Sequence, residues 1–428
     1  MDSITEEIMT CRQMIDVAPA LVDAFIGTKV TRKEATTLKV AIINLPCNGF
    51  GDVIYAKKVR DYIIQWYGCS VTIFTTFKKG HLALGSPPSI IKSDKSSPNV
   101  DCVDLKDVDF SHGRTKYDIF LVAPIVTDFN LSRNQIGKSF KYANRYNTFF
   151  MSEYNPPDSE EFTFPTGIGK DLCGIFLVKQ PRLQRINIQN PFVLAYVASS
   201  EHITGARRCY SNFFKMIAKR YHHEIEKLDL VTPPWLVEDF VDNRTLLKEL
   251  AKFYPTISIM AKDRGTFNLL TGESSRVLTI RGDILPCPHS KMFTLIAKSL
   301  PEILITGDQS LTDVLSCRET KDIYYQIAEW KEALAKELSK ATESRHLRMK
   351  STSCGKYDLK RIDYDQAAKR VIEKWDFRKL GKPIMDGVFG FTIAKKYDNR
   401  VKKFIEDIQD MKRVASIKRL IVRLNKQK

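Results

Sequence analysis

The stretch Lys39-Val-Ala-Ile-Ile-Asn-Leu-Pro-Cys-Asn-Gly-Phe-Gly-Asp-Val-Ile54 decides how the rest of the chain is read. An apolar run, Val40 to Leu45, has the length and β-branched content of a buried strand. It ends in a loop holding Gly49 and Gly51, and Asp52 then opens an amphipathic helix. A strand that feeds a helix through a glycine turn aims free backbone N–H groups, and the positive end of the helix dipole, beyond the sheet. That is a place for an anion or a nucleotide phosphate, and it sets a carboxylate beside whatever lies there. Three readings compete: a nucleotide-cofactor loop, a sugar-transfer loop, and a capped turn.

Working outward, the helix runs to Tyr67 with Val53, Ala56, Val59, Ile63 and Trp66 on one face, and Gly68 ends it. Val71–Phe74 follows as a second strand, which completes a βαβ unit suited to a parallel sheet. Residues 78–114 are polar and read as an excursion. Strands are expected at 117–122 and 148–151, and Pro156, Pro157, Pro165 and Gly167 to Gly169 interrupt the pattern. A second alternating series begins at Phe192–Ala198. It continues through helices near 205–221, 244–253 and 290–298 and strands at 228–231, 257–260, 277–280 and 303–305. A stripe of Ile323, Ile327, Trp330, Leu334 and Leu338 predicts a long helix over 321–341. Two alternating series of roughly 150 residues each predict an α/β protein of two facing, doubly wound (Rossmann-like) domains. The expected boundaries are 1–37 for a helical segment, 38–190 and 191–341 for the two domains, and 342–428 for a basic helical extension.

Composition narrows the classes. No apolar run approaches the roughly 18–20 residues that span a bilayer, and the N-terminus lacks a signal pattern. The 9 cysteines are scattered without a Cys-x-x-Cys, so neither a disulfide framework nor a zinc site is expected, and the chain reads as cytoplasmic. The net charge of +17 is uneven: residues 343–428 hold 24 Lys/Arg and 11 Asp/Glu, about +13 of it. That tail suits nucleic acid or an anionic membrane surface, where the protein would sit peripherally; a solvated helical face fits equally. Its aromatics (Tyr357, Tyr364, Trp375, Phe377, Phe389, Phe391) interleave with charge as in single-strand binders, although helical spacing favours core.

A dinucleotide fingerprint needs a third glycine, where this chain has Ile54, and an acid after the second strand, where it has Thr75-Thr76-Phe77-Lys78-Lys79. Asn48-Gly-Phe-Gly-Asp-Val-Ile54 with its helix and the Cys69-Ser-Val-Thr-Ile73 strand resembles the N-terminal motif of heptosyltransferase-like GT-B glycosyltransferases. The resemblance implies metal-independent, cofactor-free transfer of a sugar from a nucleotide-diphosphate donor to a hydroxyl of a glycan, lipid or protein. It makes Asp52 the base, an assignment that competes with a helix-capping role for the same residue. Asn48, Gly49 and Gly51 would form the acceptor or phosphate loop, joined by Ser199, Ser200 and Arg207 after the Phe192–Ala198 strand. Gly307-Asp308-Gln309-Ser310 looks like the family's donor-diphosphate turn, and Ser310-Leu-Thr-Asp313 also reads as a capping box. The family's Asp-Ser-Gly and neighbouring His are replaced there. Arg264, Arg281 and His289 follow successive strands and complete the donor-side set. Asp107-Val-Asp109, Cys287-Pro-His289 and His222-His223 read as a loop, a coincidence and a helix end. The rival functions are a non-catalytic nucleic-acid binder and a nucleotide-dependent oxidoreductase or epimerase.

Overall fold

The strand Lys39–Asn44 (β1) is buried from Val40 onward on both faces of a sheet, which is why its apolar run is continuous rather than alternating. The computed structural model describes residues 22–46, 50–86, 91–93, 115–125, 136, 140–144, 146–159, 162–198, 206–317, 319, 321–343, 360–362 and 364–408. The chain divides into two compact units: Met1–Leu82, Ser86–Phe176 and Trp375–Lys428 form the first, and Ala83–Gly85 with Leu177–Lys374 the second.

In the first unit, a short helix, Arg32–Ala35 (α1), opens on a Thr31/Glu34 capping box. After β1 come the helix Gly51–Tyr67 (α2), β2 (Ser70–Thr75), a short helix Lys78–Ala83 (α3), β3 (Ile91–Ser93), β4 (Ile119–Ile125) and β5 (Thr148–Ser152). The strands are parallel in the order β3-β2-β1-β4-β5, so consecutive pairing reverses between β1 and β4. Gly68 closes α2 at φ +68°, a left-handed position where an added Cβ would meet the Arg32 guanidinium at 2.8 Å. The polar excursion expected over 78–114 therefore begins with a helix and contributes an edge strand.

The burial of α2 is wider than its predicted stripe. Tyr62 and Tyr67 are buried with Val53, Ala56, Val59 and Ile63, while Trp66 is half-exposed. The reason is a 21-residue helix, Phe377–Tyr397, which returns from the far end of the chain. Phe377 stacks on Tyr62 and Trp66, Phe389 stacks on Tyr67 at 3.8 Å between centroids, and the Tyr67 hydroxyl donates to Asp386 at 2.6 Å. The expected basic extension is thus divided between the units. Residues 375–408 belong to the first, and a strand at Lys360–Ile362 joins the sheet of the second. Their charge marks the solvent side, while the aromatics Phe377, Phe389 and Phe391 are core.

The second unit carries β6 (Phe192–Tyr196), α4 (Ala206–Tyr221), β7 (Lys227–Val231), α5 (Leu236–Asp242) and α6 (Arg244–Ala251). It continues with β8 (Thr256–Ala261), β9 (Gly265–Leu270), β10 (Val277–Arg281), α7 (His289–Lys298), β11 (Glu302–Thr306), α8 (Asp308–Ser316), β12 (Asp322–Gln326) and α9 (Glu332–Thr342). After them come β13 (Lys360–Ile362) and the helix Gln366–Ile372 (α10), and the returning helix Phe377–Tyr397 (α11) and Asn399–Ile408 (α12) follow. The sheet order is β13-β12-β11-β6-β7-β10-β8-β9, parallel except for the two edge strands. From β6 the chain first builds towards β7 and later returns to β11 on the other side, so this sheet also has its switch point at its first strand.

The first part of the helix predicted over 321–341 is a strand, and its second part is α9. Ile323 and Tyr325 are buried and alternate with Asp322 and Tyr324, the period-2 pattern of β12. Only Leu334 and Leu338 of the proposed stripe lie on a helix, α9, and Trp330 is 59% exposed. The spacing of apolar residues across a strand, a turn and a helix imitated a 3.6-residue period. β9 and α5 are further elements the sequence reading did not anticipate.

Candidate functional site

In the first unit the turn after β1 is fixed by Asn44, a fully buried side chain at the strand's end. Its Nδ2 donates to the carbonyl of Ala123 on β4 (2.9 Å) and to the carbonyl of Asp52 in α2 (3.1 Å). One amide thus pins the start of α2 across the β1/β4 switch point. Its Oδ1 accepts a hydrogen bond from Nε2 of His81 on α3, at 2.9 Å. With the proton on Nε2, His81 Nδ1 is an acceptor, and it is buried without a partner among the described residues. Asp52 lies in the first turn of α2, and Phe50 rather than Asp52 is the N-cap residue, with no side-chain cap bond. The half-buried Asp52 therefore stands at the positive end of the helix without the cap role the sequence also allowed. Asn48 and Gly49 lie outside the described residues; Gly51 is the exposed first residue of α2.

Burial, with a smaller contribution from the cation of Lys57, depresses the His81 pKa to about 3. An unfolded chain binds this proton near the ordinary value of 6.5, so the stabilisation is complete above that pH and is lost as pH falls towards 3. His81→Gln, which keeps an N–H donor and does not titrate, is expected to flatten the acid side of the stability profile. Between pH 6 and 4 the slope of unfolding free energy should drop by about 1 kcal/mol per pH unit, measured by urea titration. An unchanged slope would place His81 in solvent.

In the second unit Gly307 is the N-cap of α8 at φ +75°, and no side chain caps the helix, so its first-turn amides have no cap partner. Asp308 pairs with Lys331 from the turn after β12 (2.9 Å), both largely buried. Gln309 is 3% exposed, and neither its Oε1 nor its Nε2 has a partner among the described residues. A buried amide with both functions unsatisfied is costly and calls for an occupant that supplies a donor and an acceptor. Ser310 is the third residue of α8, so it cannot act as a cap, and the expected capping box does not form. The carboxylate of Asp313 instead meets Nε2 of His289, at the start of α7, at 2.7 Å. Gln326 accepts from the backbone N–H of Ala198 (2.8 Å), and its own carbonyl accepts from Thr306 Oγ1 (3.0 Å). The ends of β12, β11 and β6 are tied together there, and Ala206, first residue of α4, packs with Ala328 and Ala198.

The structure therefore gathers Gly307, Asp308, Gln309 and Ser310 at one helix start by the switch point, and His289 joins the same helix further along, at Asp313. The three arginines are engaged elsewhere. Arg281 makes two 2.8 Å bonds to Asp283 and a third to Asp229. Arg264 sits in the β8–β9 turn, four strands from β11, on the order of 19 Å away, and pairs with Glu238. Arg207, in the first turn of α4, pairs with Asp239, which raises its pKa. Ser199, Ser200 and the Asp107–Asp109 pair fall outside the described residues. Cys287 is a buried thiol with a pKa raised to about 11 by burial, and His222 Nδ1 donates to the Lys219 carbonyl at the end of α4. Asn44, His81, Gln326 and Lys331 were not singled out in sequence, and Asp313 was read only as part of a capping box. Their only local signal is a polar residue ending or following an apolar run.

Among the described residues no group of three His, Cys, Asp or Glu could hold a metal ion, and no helix is long and apolar enough to cross a membrane. No protein-family model and no curated protein matches the chain. Solved structures do resemble it. One is a glycosyl transferase family 9 protein from Veillonella parvula (9% identity, 84% of this chain and 98% of that one, TM-score 0.40). A second is an alpha-glucosyltransferase in complex with UDP and a 13-mer DNA (10% identity, 87% and 98%, TM-score 0.34). A third is the E. coli heptosyltransferase WaaC with ADP-2-deoxy-2-fluoro heptose (10% identity, 68% and 89%, TM-score 0.28). The likeness is to GT-B glycosyltransferases, and it is loose in both overlay and identity.

Proposed function

We propose that the chain is a glycosyltransferase that moves a sugar from a nucleotide-diphosphate donor to a hydroxyl acceptor. The observation that carries this reading is the start of α8, where uncapped amides at a switch point adjoin the unsatisfied amide of Gln309. Uncapped amides suit a diphosphate, and an amide offering one donor and one acceptor suits sugar hydroxyls. The His289–Asp313 pair, next to the same helix, holds the imidazole in a fixed tautomer and orientation.

In the reaction the acceptor oxygen bonds to the anomeric carbon as the bond from that carbon to the diphosphate oxygen breaks. The acceptor proton passes to Asp52, and the diphosphate leaves with its added charge stabilised by the α8 amides, without a metal ion. Asn44 keeps the start of α2 in place through its bond to the Asp52 carbonyl. An oxidoreductase is less well supported, since the strand after the β1–α2 turn ends without the ribose-holding acid.

The test is a thermal-shift screen against UDP-, ADP-, GDP- and CMP-sugars at millimolar concentration. The true donor is expected to raise Tm by several degrees, since ligand at about 100 times Kd adds about 2.7 kcal/mol. Gln309→Leu should bind that donor at least tenfold more weakly while the free protein is as stable as wild type or more so. Removing both orphaned polar atoms costs nothing in the absence of ligand. If no nucleotide sugar shifts the protein, the transferase reading fails.

A further inference from the structure

The first unit has a second concave site, away from the β1–α2 turn, that no part of the proposed transfer uses. Gly387 and Gly390 lie one turn apart on α11, and the segment 22–28 packs directly on them. A Cβ on Gly387 would come 2.8 Å from the Val22 carbonyl, and one on Gly390 3.2 Å from Thr28. Beyond these glycines the two segments separate and leave a cleft of about 620 Å³, in the size range of ligand sites. Phe25 and Ala394 are among its apolar lining residues, and Lys29, Tyr397 and Arg400 are exposed at its edge.

The lining sets two cations, Lys29 and Arg400, against two acids, Glu34 and Asp398, and the segments that flank the cleft, 28–39 and 395–403, carry nine Lys or Arg in all. Both acids are engaged: Glu34 accepts from Thr31 in the α1 capping box, and Asp398 accepts from the backbone and guanidinium of Arg400. Lys29, Lys402 and Lys403 point their charge to solvent. Tyr397 is 61% exposed, unusual for so large a ring, and Lys396 Nζ, which also pairs with Asp118 at 3.4 Å, lies 5.8 Å from its centroid. An exposed aromatic face beside a line of cations is what a single strand needs, with bases stacking and phosphates tracking the lysines. An anionic membrane would call for a convex apolar surface, and here the apolar residues lie inside a hollow.

We infer that this cleft binds single-stranded nucleic acid, a function independent of the sugar-transfer reading. The experiment is fluorescence anisotropy of the full chain with a labelled 15-mer of dT and one of U, between 50 and 200 mM salt. Binding is expected with a log–log salt slope of about −2 to −3.5, as for three to five phosphate contacts on a single strand. Tyr397→Ala should weaken binding about tenfold with little change in slope. The triple reversal Lys29→Glu, Lys402→Glu, Lys403→Glu should weaken it by more than tenfold and reduce the slope by about 2. Reversing the equally exposed Lys248 and Lys336 of the second unit should leave the affinity within about twofold. Circular-dichroism melting of each variant confirms that these exposed changes leave the fold intact. The inference is overturned by no binding at 50 mM salt, by equal losses in the control reversal, or by a neutral Tyr397→Ala. Wild-type binding to phosphatidylserine vesicles through the same lysines, with the oligonucleotides unbound, would also overturn it.

Discussion

Asp52→Asn is expected to reduce sugar transfer by about 10²–10⁴-fold, the range over which a positioned general base acts, while donor affinity stays within about twofold. The side chain is isosteric, so what is lost is the carboxylate that accepts the acceptor's proton as its oxygen attacks. Phe50 holds the N-cap position, and the contact that locks the helix start runs from Asn44 to the backbone carbonyl of residue 52, which every substitution retains. The cost to stability includes the favourable interaction of a negative charge with the helix start, about 0.3–1 kcal/mol. The signature is therefore a fall in kcat with an almost unchanged donor KM and a melting temperature a few degrees lower at most. Steady-state kinetics with the donor found by thermal shift, together with one melting curve, measure all three. Turnover equal to wild type would remove Asp52 from the chemistry and leave α2 as an ordinary strand-to-helix connection.

Much of the fold was legible because burial wrote itself into local pattern. β1 and β4 lie in the parallel sheet of the first unit and read as uninterrupted apolar runs, and α2 announces itself by a change of period. Patterns that run across element boundaries misled. Ile323, Ile327 and Trp330 mimic a helix only because a strand, a turn and a helix follow one another at the wrong spacing. β9 is a half-exposed antiparallel edge, so its Gly-Thr-Phe-Asn-Leu-Leu carries no strong signal. The tail is the plainest case. Counted along the chain it is one basic block, yet its phenylalanines 377, 389 and 391 are buried against residues some three hundred positions earlier, such as Phe389 against Tyr67. The site divides the same way. Both Gly-Asp turns are local features and could be read, whereas Asn44 acquires meaning only through Ala123, Asp52 and His81. Asp313 acquires it only through His289.

Phe377→Ala should lower the stability of the first unit by about 3–5 kcal/mol, the usual loss for a large aromatic removed from a close-packed core. Phe377 is fully buried at the first turn of α11. Its ring lies 4.7 Å from Phe176, 5.9 Å from Tyr62, 6.2 Å from Trp66 and 6.3 Å from Phe164, all centroid to centroid. Those partners come from α2 and from the segment after β5, so one truncation opens a hole where three parts of the unit meet. Collapse into that hole is resisted, because the backbone beside it is pinned by reciprocal bonds between Ile175 and the 375–377 segment. The loss should be regional. In hydrogen exchange, amides of β1, β2, β4 and α2 are expected to lose protection by a factor of about 10²–10³, and β6, β7 and β10 to keep theirs. Truncating the exposed Trp330 to alanine, a change of similar size at the surface, should cost under about 0.5 kcal/mol. Protection lost only within α11 would mean that the returning helix is an appendage. Loss that reaches β1 and α2 makes α11 a structural part of the first unit, whose core is complete only once that helix has been made.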